Sequence, residues 1–165
     1  GEAGRMLRRT GHHTGAAVAQ ANLAFLLQIR GEPEQARGAW ARAMEQLQAI
    51  SQTQIRGHFR SLHSAFLASS GATAEAGHQL ERAEAELAGT DTAESRGALD
   101  VARAWISFRC GEDARALALL EPVERGGQGD AVFAARLLRE AMNAWATSST
   151  TCSTASPLAS SSTTE

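Results

Sequence analysis

The sequence predicts an all-α fold assembled from repeated helix pairs, and three observations carry that expectation. Alanine, the residue with the highest intrinsic helix propensity, is abundant, while aromatics make up only 5% and Tyr is absent, so few strand-forming runs remain. A self-similarity steps through the chain from Gly31-Glu32 to Gly71-Ala72 to Gly111-Glu112, an interval of 40 residues each time. Helix-start and helix-stop residues fall beside each of these glycines. With 165 residues, 43% hydrophobic and 21% charged, the chain has the bulk properties of one globular domain able to bury a core without staples.

The elements follow in order. Shifted back by 40, Ala3 falls on Ala43 and Leu7 on Leu47, so residues 1–12 read as the tail of a partial repeat whose first helix is missing. The first full repeat, about 13–52, predicts helices over 14–30 and 33–50, with Pro33 at the first helical position, where its missing N–H costs nothing. The second, 53–91, predicts helices over 53–70 and 73–88, with Thr73 as N-cap. The third, 92–128, predicts helices over 92–110 and 113–125. Asp91 and Glu94 there resemble a capping box, Asp113 is a second N-cap, and Gly126-Gly127 cuts the last helix short. Asp130 can cap a closing helix over 130–146, with Val132, Phe133, Leu137, Leu138, Met142 and Trp145 available for the core. Residues 1–146 thus form the repeat domain. The Ser/Thr-rich stretch 147–165 has too little apolar surface to offset ordering and is expected to be a disordered tail.

Within the 40-residue register, four further columns recur beside the glycine. They are Ala24, Ser64 and Ala104; Ala36, Ala76 and Ala116; Trp40, Leu80 and Leu120; and Ala43, Ala83 and Val123. Small residues let two helix backbones approach closely. The large ones plug the space between neighbouring pairs, each contributing on the order of 1.5–3 kcal/mol by burial. Small residue, turn glycine, small residue, large apolar residue, small residue, at these spacings, resembles the tetratricopeptide (TPR) signature over residues 14–125. Ala21-Asn22-Leu23-Ala24 followed by Gly31-Glu32-Pro33-Glu34-Gln35-Ala36-Arg37 carries the resemblance best. The step exceeds the usual repeat of about 34 residues and resembles the long subtype of bacterial signalling ATPases, transcription regulators and Ser/Thr kinases. In the third unit Val123 departs from the pattern, as a terminal repeat can. A HEAT-like scaffold also suits the 40-residue step, but no kinking Pro stands in a first helix.

That resemblance implies a right-handed superhelical array of antiparallel helix pairs. It also implies a non-catalytic protein- or peptide-interaction module, part of a larger bacterial regulatory protein. The alternative it leaves open is an intramolecular structural or autoregulatory segment of a kinase, ATPase or transcription regulator. In TPR arrays the first helices line the concave face, and the register carries that face onto Asn22, Phe25, Gln28, His58, Ser61, Ser69, Trp105 and Arg109, with Ala65 and Phe108 among them. Phe25 and Trp105 suit the inter-repeat core equally well. The Lys and Asn positions of the chaperone-binding carboxylate clamp are taken by Ala21, Phe25, Ala98 and Ala102, which argues against a chaperone tail as ligand.

Charge narrows the partners. A net charge of −2 supplies no global field for nucleic acid or an anionic membrane, so the expected partner is protein or peptide, and self-association into homo-oligomers is compatible with it. All 16 basic residues are Arg, a bias associated with GC-rich bacterial genomes. Arg56, Arg60 and His63 form a stripe on one helix, and Arg96 and Arg103 fall on the equivalent helix of the next pair. Merged, they would grip acidic peptide or phosphate. The more ordinary reading is a solvated face paired with Glu81, Glu84 or Asp100.

No apolar run approaches the roughly 20 residues of a membrane span, no signal peptide is visible, and the start at Gly1 leads to the expectation of a piece of a longer protein. Cys110, read as half-buried beside its glycine, and Cys152 share no framework spacing, and a reduced, cytoplasmic setting fits them. His12-His13, and His58 with His63 five residues on, lack metal-ligand spacing, and His63 reads as a helix-surface residue. Gly126-Gly127-Gln128-Gly129 follows no strand and lacks the Lys of a phosphate loop. No catalytic, metal or cofactor site is expected.

Overall fold

The computed structural model describes the backbone of residues 2–90, 92–126 and 129–153, and the side chains of those between 14 and 145. Within them the fold is all-α. The helices are α1 (Glu2–Ile29), α2 (Pro33–Gln48), α3 (Thr53–Ser69), α4 (Thr73–Leu87), α5 (Ala93–Arg109), α6 (Asp113–Gly126) and α7 (Asp130–Ser153).

Three connections are alike to the level of individual hydrogen bonds. Gly31, Gly71 and Gly111 take φ of 73°, 87° and 79°, the left-handed region that glycine reaches without a Cβ clash. At each, the glycine N–H donates to the carbonyl three residues back, and the next N–H to the carbonyl five back. The second bonds are Glu32 to Leu27, Ala72 to Leu67 and Glu112 to Ser107, at 2.9–3.0 Å. This closure leaves one residue before the next helix begins. Thr73 and Asp113 are therefore not N-caps, as expected from their side chains, but stand like Pro33 at the first helical position. Glu32 and Ala72, which do precede α2 and α4, offer no side-chain cap. At α5 the cap is Thr92 rather than Asp91, and its hydroxyl accepts from the Ser95 N–H at 3.1 Å. Asp91 lies outside the described residues.

Two boundaries differ from expectation. Residues 2–29 form one helix, with no break between a partial repeat and the first pair. Gly11 and Gly15 each cost about 1 kcal/mol in a helix interior, but neither ends it, because the alanine-rich turns behind them propagate at little cost. α7 likewise runs on to Ser153, so residues 147–153 are helical rather than disordered. Ser and Thr are indifferent helix formers, not breakers, and the first breaker beyond Gly129 is Pro157. Residues 154–165 lie outside the described region.

Packing groups the helices as α1 with α2, α3 with α4 and α5 with α6, each across its glycine turn. α3 also lies along α5, and α5 along α7, whereas α1 makes no comparably close approach to α3. Small residues set the close contacts. Ala24, Ala36, Ala104 and Ala116 are fully buried, and Ser64, equivalent to Ala24 and Ala104, donates its hydroxyl to the Ala76 carbonyl of α4 at 2.7 Å. The first step also carries the bulkiest residue of its column, Trp40. Fully buried on α2, its ring packs on His63 (5.3 Å between centroids) and Phe66 (6.5 Å) of α3, and this bulk stands where Leu80 and Leu120 stand later. Leu80 is only partly buried and Leu120 fully. α3 is the central helix, with every residue from Phe59 to Ala68 buried. His63 is thus a core residue packed on Trp40 and stacked on Phe66, not a helix-surface one.

Candidate functional site

The separation of α1 from α3 opens a cleft between the second half of α1 and the starts of α3, α5 and α7. One part, about 410 Å³, has Val18 and Asn22 of α1 on one wall and Ile55, His58 and Phe59 of α3 on the other. Thr92, Glu94 and Ser95, at the start of α5, and Asp130, the first residue of α7, complete it. A second part, about 340 Å³, runs from Asn22 and Asp130 toward Phe25, Leu26, Ile29 and Phe133. Asn22 and Asp130 border both parts, so the two are continuous. Phe25 meets Phe133 edge to face at 6.3 Å, bridging α1 and α7. Leu26 and Phe133 are 56% and 50% exposed, leaving an apolar lip for contact.

His58 stands at the centre. Burial pushes its pKa below the ordinary histidine value, and the charges of Glu94 and then Asp130 offset only part of that. Its Nε2 lies 3.9 Å from Glu94 Oε1, and its buried Nδ1 has no partner among the described protein atoms. Glu94 reaches across toward α7: its Oε1 is 3.8 Å from where a Cβ on Gly129 would sit. The two carboxylates therefore face one cavity. Each also belongs to the first turn of its helix, where negative charge complements the helix dipole.

The expected concave-face residues divide. Asn22, Phe25 and His58 line the cleft. Ser61 is fully buried with its hydroxyl committed to the Gly57 carbonyl, and Ser69 commits its own to Phe66. Trp105 is buried against Phe108, and Ala65 is buried in α3. Gln28 is half-buried outside the cleft lining, and Arg109 lies exposed at the turn end, beside Gly71. Among the lining residues missed are Glu94, Asp130, Leu26 and Phe133. Asp130 and Glu94 looked like helix-start residues, which they also are, and only the return of α7 to α1 brings them to one site.

The basic stripe does not face solvent as a patch. Arg60 is 3% exposed and shares Glu86 with Arg56, at 3.0 and 2.6 Å, while Gln79 takes another Arg60 N–H. Burial works to raise the Glu86 carboxyl, but hydrogen bonds from Arg60 and Arg56 outweigh it and hold the group below the usual carboxylate range. Arg103 pairs with Glu84 and Asp100, two of the partners expected for it. Glu81 instead lies near His78 on the surface of α4. Arg96 borders a different cleft, with Pro122 and Val123. Cys110 is exposed rather than half-buried.

Among the described residues no group of three or more His, Cys, Asp or Glu side chains could hold a metal ion, and no helix is long and apolar enough to cross a membrane. His12-His13 and Cys152 have side chains outside the described set. No protein-family model matches this chain, and no curated protein or solved structure matches it.

Proposed function

We propose that this chain is a non-catalytic interaction module: a TPR-like superhelical array of antiparallel helix pairs that holds a peptide segment of a partner protein. The binding face is the cleft between α1 and the first turns of α5 and α7. One observation carries the reading, namely a continuous cleft between helices whose first part is mainly polar, with Asn22, His58, Glu94 and Asp130 in its lining, and whose second part is mainly apolar. The amide and imidazole can meet the backbone of an extended segment, while Phe25, Leu26, Ile29 and Phe133 can take an apolar anchor of the kind that dominates peptide affinity. The 40-residue register of glycine closures and small residues supports the array.

Panning a random peptide library on the chain tests this directly. Enriched peptides should lose binding to a Phe25→Asp/Phe133→Asp variant whose far-UV spectrum is unchanged. Equal enrichment on both proteins, or none on either, would contradict the proposal.

A further inference from the structure

The cleft carries a charge bias opposite to the one the arginine stripe suggested. Its charged lining among the described residues is Glu94 and Asp130, and no described Arg borders either part. The arginines of α3 are held by Glu86, and Arg103 by Glu84 and Asp100. His58, the other titratable group in the lining among the described residues, is kept below the ordinary histidine pKa by burial and adds no compensating positive charge near neutral pH. Acidic residues also open α2 and α4, at Glu34 and Glu75, and there they are explained by the helix dipole alone. Glu94 and Asp130 differ in lining one cavity together, beside Val18, Ile55 and Phe59, so that their like charges add there.

Resting on the peptide-binding reading above, we infer that the cleft selects a basic–apolar segment. A Lys or Arg side chain would lie between Glu94 and Asp130, and a bulky apolar side chain nearby would lie among Phe25, Leu26, Ile29 and Phe133. The two subsites adjoin through Asn22 and Asp130. An extended peptide reaches both with side chains at positions i and i+2, which share one face about 7 Å apart. An acidic segment would instead meet two carboxylates with no cation to offset them.

Three sets of fluorescent 12-residue peptides, matched in Leu, Phe and Gly and differing only in Lys/Arg, Asp/Glu or Gln/Ser, distinguish the possibilities. Anisotropy on the full chain should show the basic set binding about tenfold or more tighter than the acidic set, with affinity falling as salt is raised. Glu94→Gln/Asp130→Asn should remove that preference, whereas Glu34→Gln/Glu75→Gln, changing first-turn carboxylates outside the cleft, should leave it intact. Equal losses in both variants would show diffuse attraction and overturn the inference. Tighter, Phe133-dependent binding of the acidic or neutral set would overturn the charge assignment while leaving the module reading in place. Binding by no set would overturn both. The comparison of peptide sets on the unmodified chain stands even if a variant fails to fold.

Discussion

At one end of the helix pairs, Gly31, Gly71 and Gly111 close three three-residue connections with the same two backbone hydrogen bonds. At the other end the connections differ in length. Residues 49–52 leave α2 through a right-handed Ala49, residues 88–92 leave α4 through an extended Ala88 and a left-handed Gly89, and residues 127–129 separate α6 from α7. The repeated end is a structural joint that fixes each pair. The cleft opens where the irregular ends of the later pairs face the second half of α1, whose last turn runs into the Gly31 closure. Repetition marks what the fold requires, and departure from it marks where the surface is free to acquire a site.

The largest expected effect strikes the bulk buried between the first pair and the second. Trp40→Ala empties a fully buried site against His63 and Phe66 and should lower unfolding free energy by about 3–5 kcal/mol in urea titration. An unchanged midpoint would remove Trp40 from this role.

Acid acts on the same contact. Burial, aided by the Arg60 charge, lowers the His63 pKa from 6.5 to about 4, so between those values the unfolded chain binds more protons than the folded one. Stability should be full above pH 6.5 and fall toward pH 4, by roughly 3 kcal/mol at about 1.4 kcal/mol per unit. His58 adds to the same slope, and Glu86, whose folded pKa is depressed, extends the loss below pH 4.5. Equal denaturant midpoints at pH 7 and pH 5 would show that His63 titrates as an ordinary histidine.

A smaller effect belongs to the turn end. Gly71→Ala imposes a Cβ on φ of 87° and brings it to 3.2 Å from the Arg109 guanidinium. Thermal unfolding should register a loss of about 1–2 kcal/mol, with peptide binding intact. A loss of binding would show that the turn end contributes to the site.

Smallest in stability is Phe133→Ser at the cleft end. The ring is half exposed, so unfolding should change by less than about 1 kcal/mol while peptide affinity falls. Stability lost without affinity would return Phe133 to a purely structural role.

How much of this was legible in the sequence follows the same division. A left-handed helix closure strongly favours glycine, so three glycines at one spacing reveal the joints, and buried small residues reveal the close contacts. A further column, Gly57 and Gly97, went unread. A Cβ on Gly57 would lie 2.7 Å from Leu87, and one on Gly97 3.1 Å from Ala131. Their meaning appears only when the neighbouring helix is in place. The fate of the arginines was half legible: Glu84 and Asp100 were anticipated for Arg103, but Glu86 was not, because helix rotation decides which carboxylate meets Arg56 and Arg60. Least legible was the cleft, since Glu94 and Asp130 each have a sufficient local reason to open a helix, and their convergence depends on where α7 returns.

Amide hydrogen exchange of the full chain, with and without the tightest basic–apolar peptide, tests most directly the claim that the cleft along α1 binds and the Gly71 and Gly111 turns only hold. Added protection should be confined to residues 18–29, 55–59, 92–95 and 130–133. Protection centred instead on 69–72 and 109–112, around Ser69 and Arg109, would place binding at those turns and contradict the account.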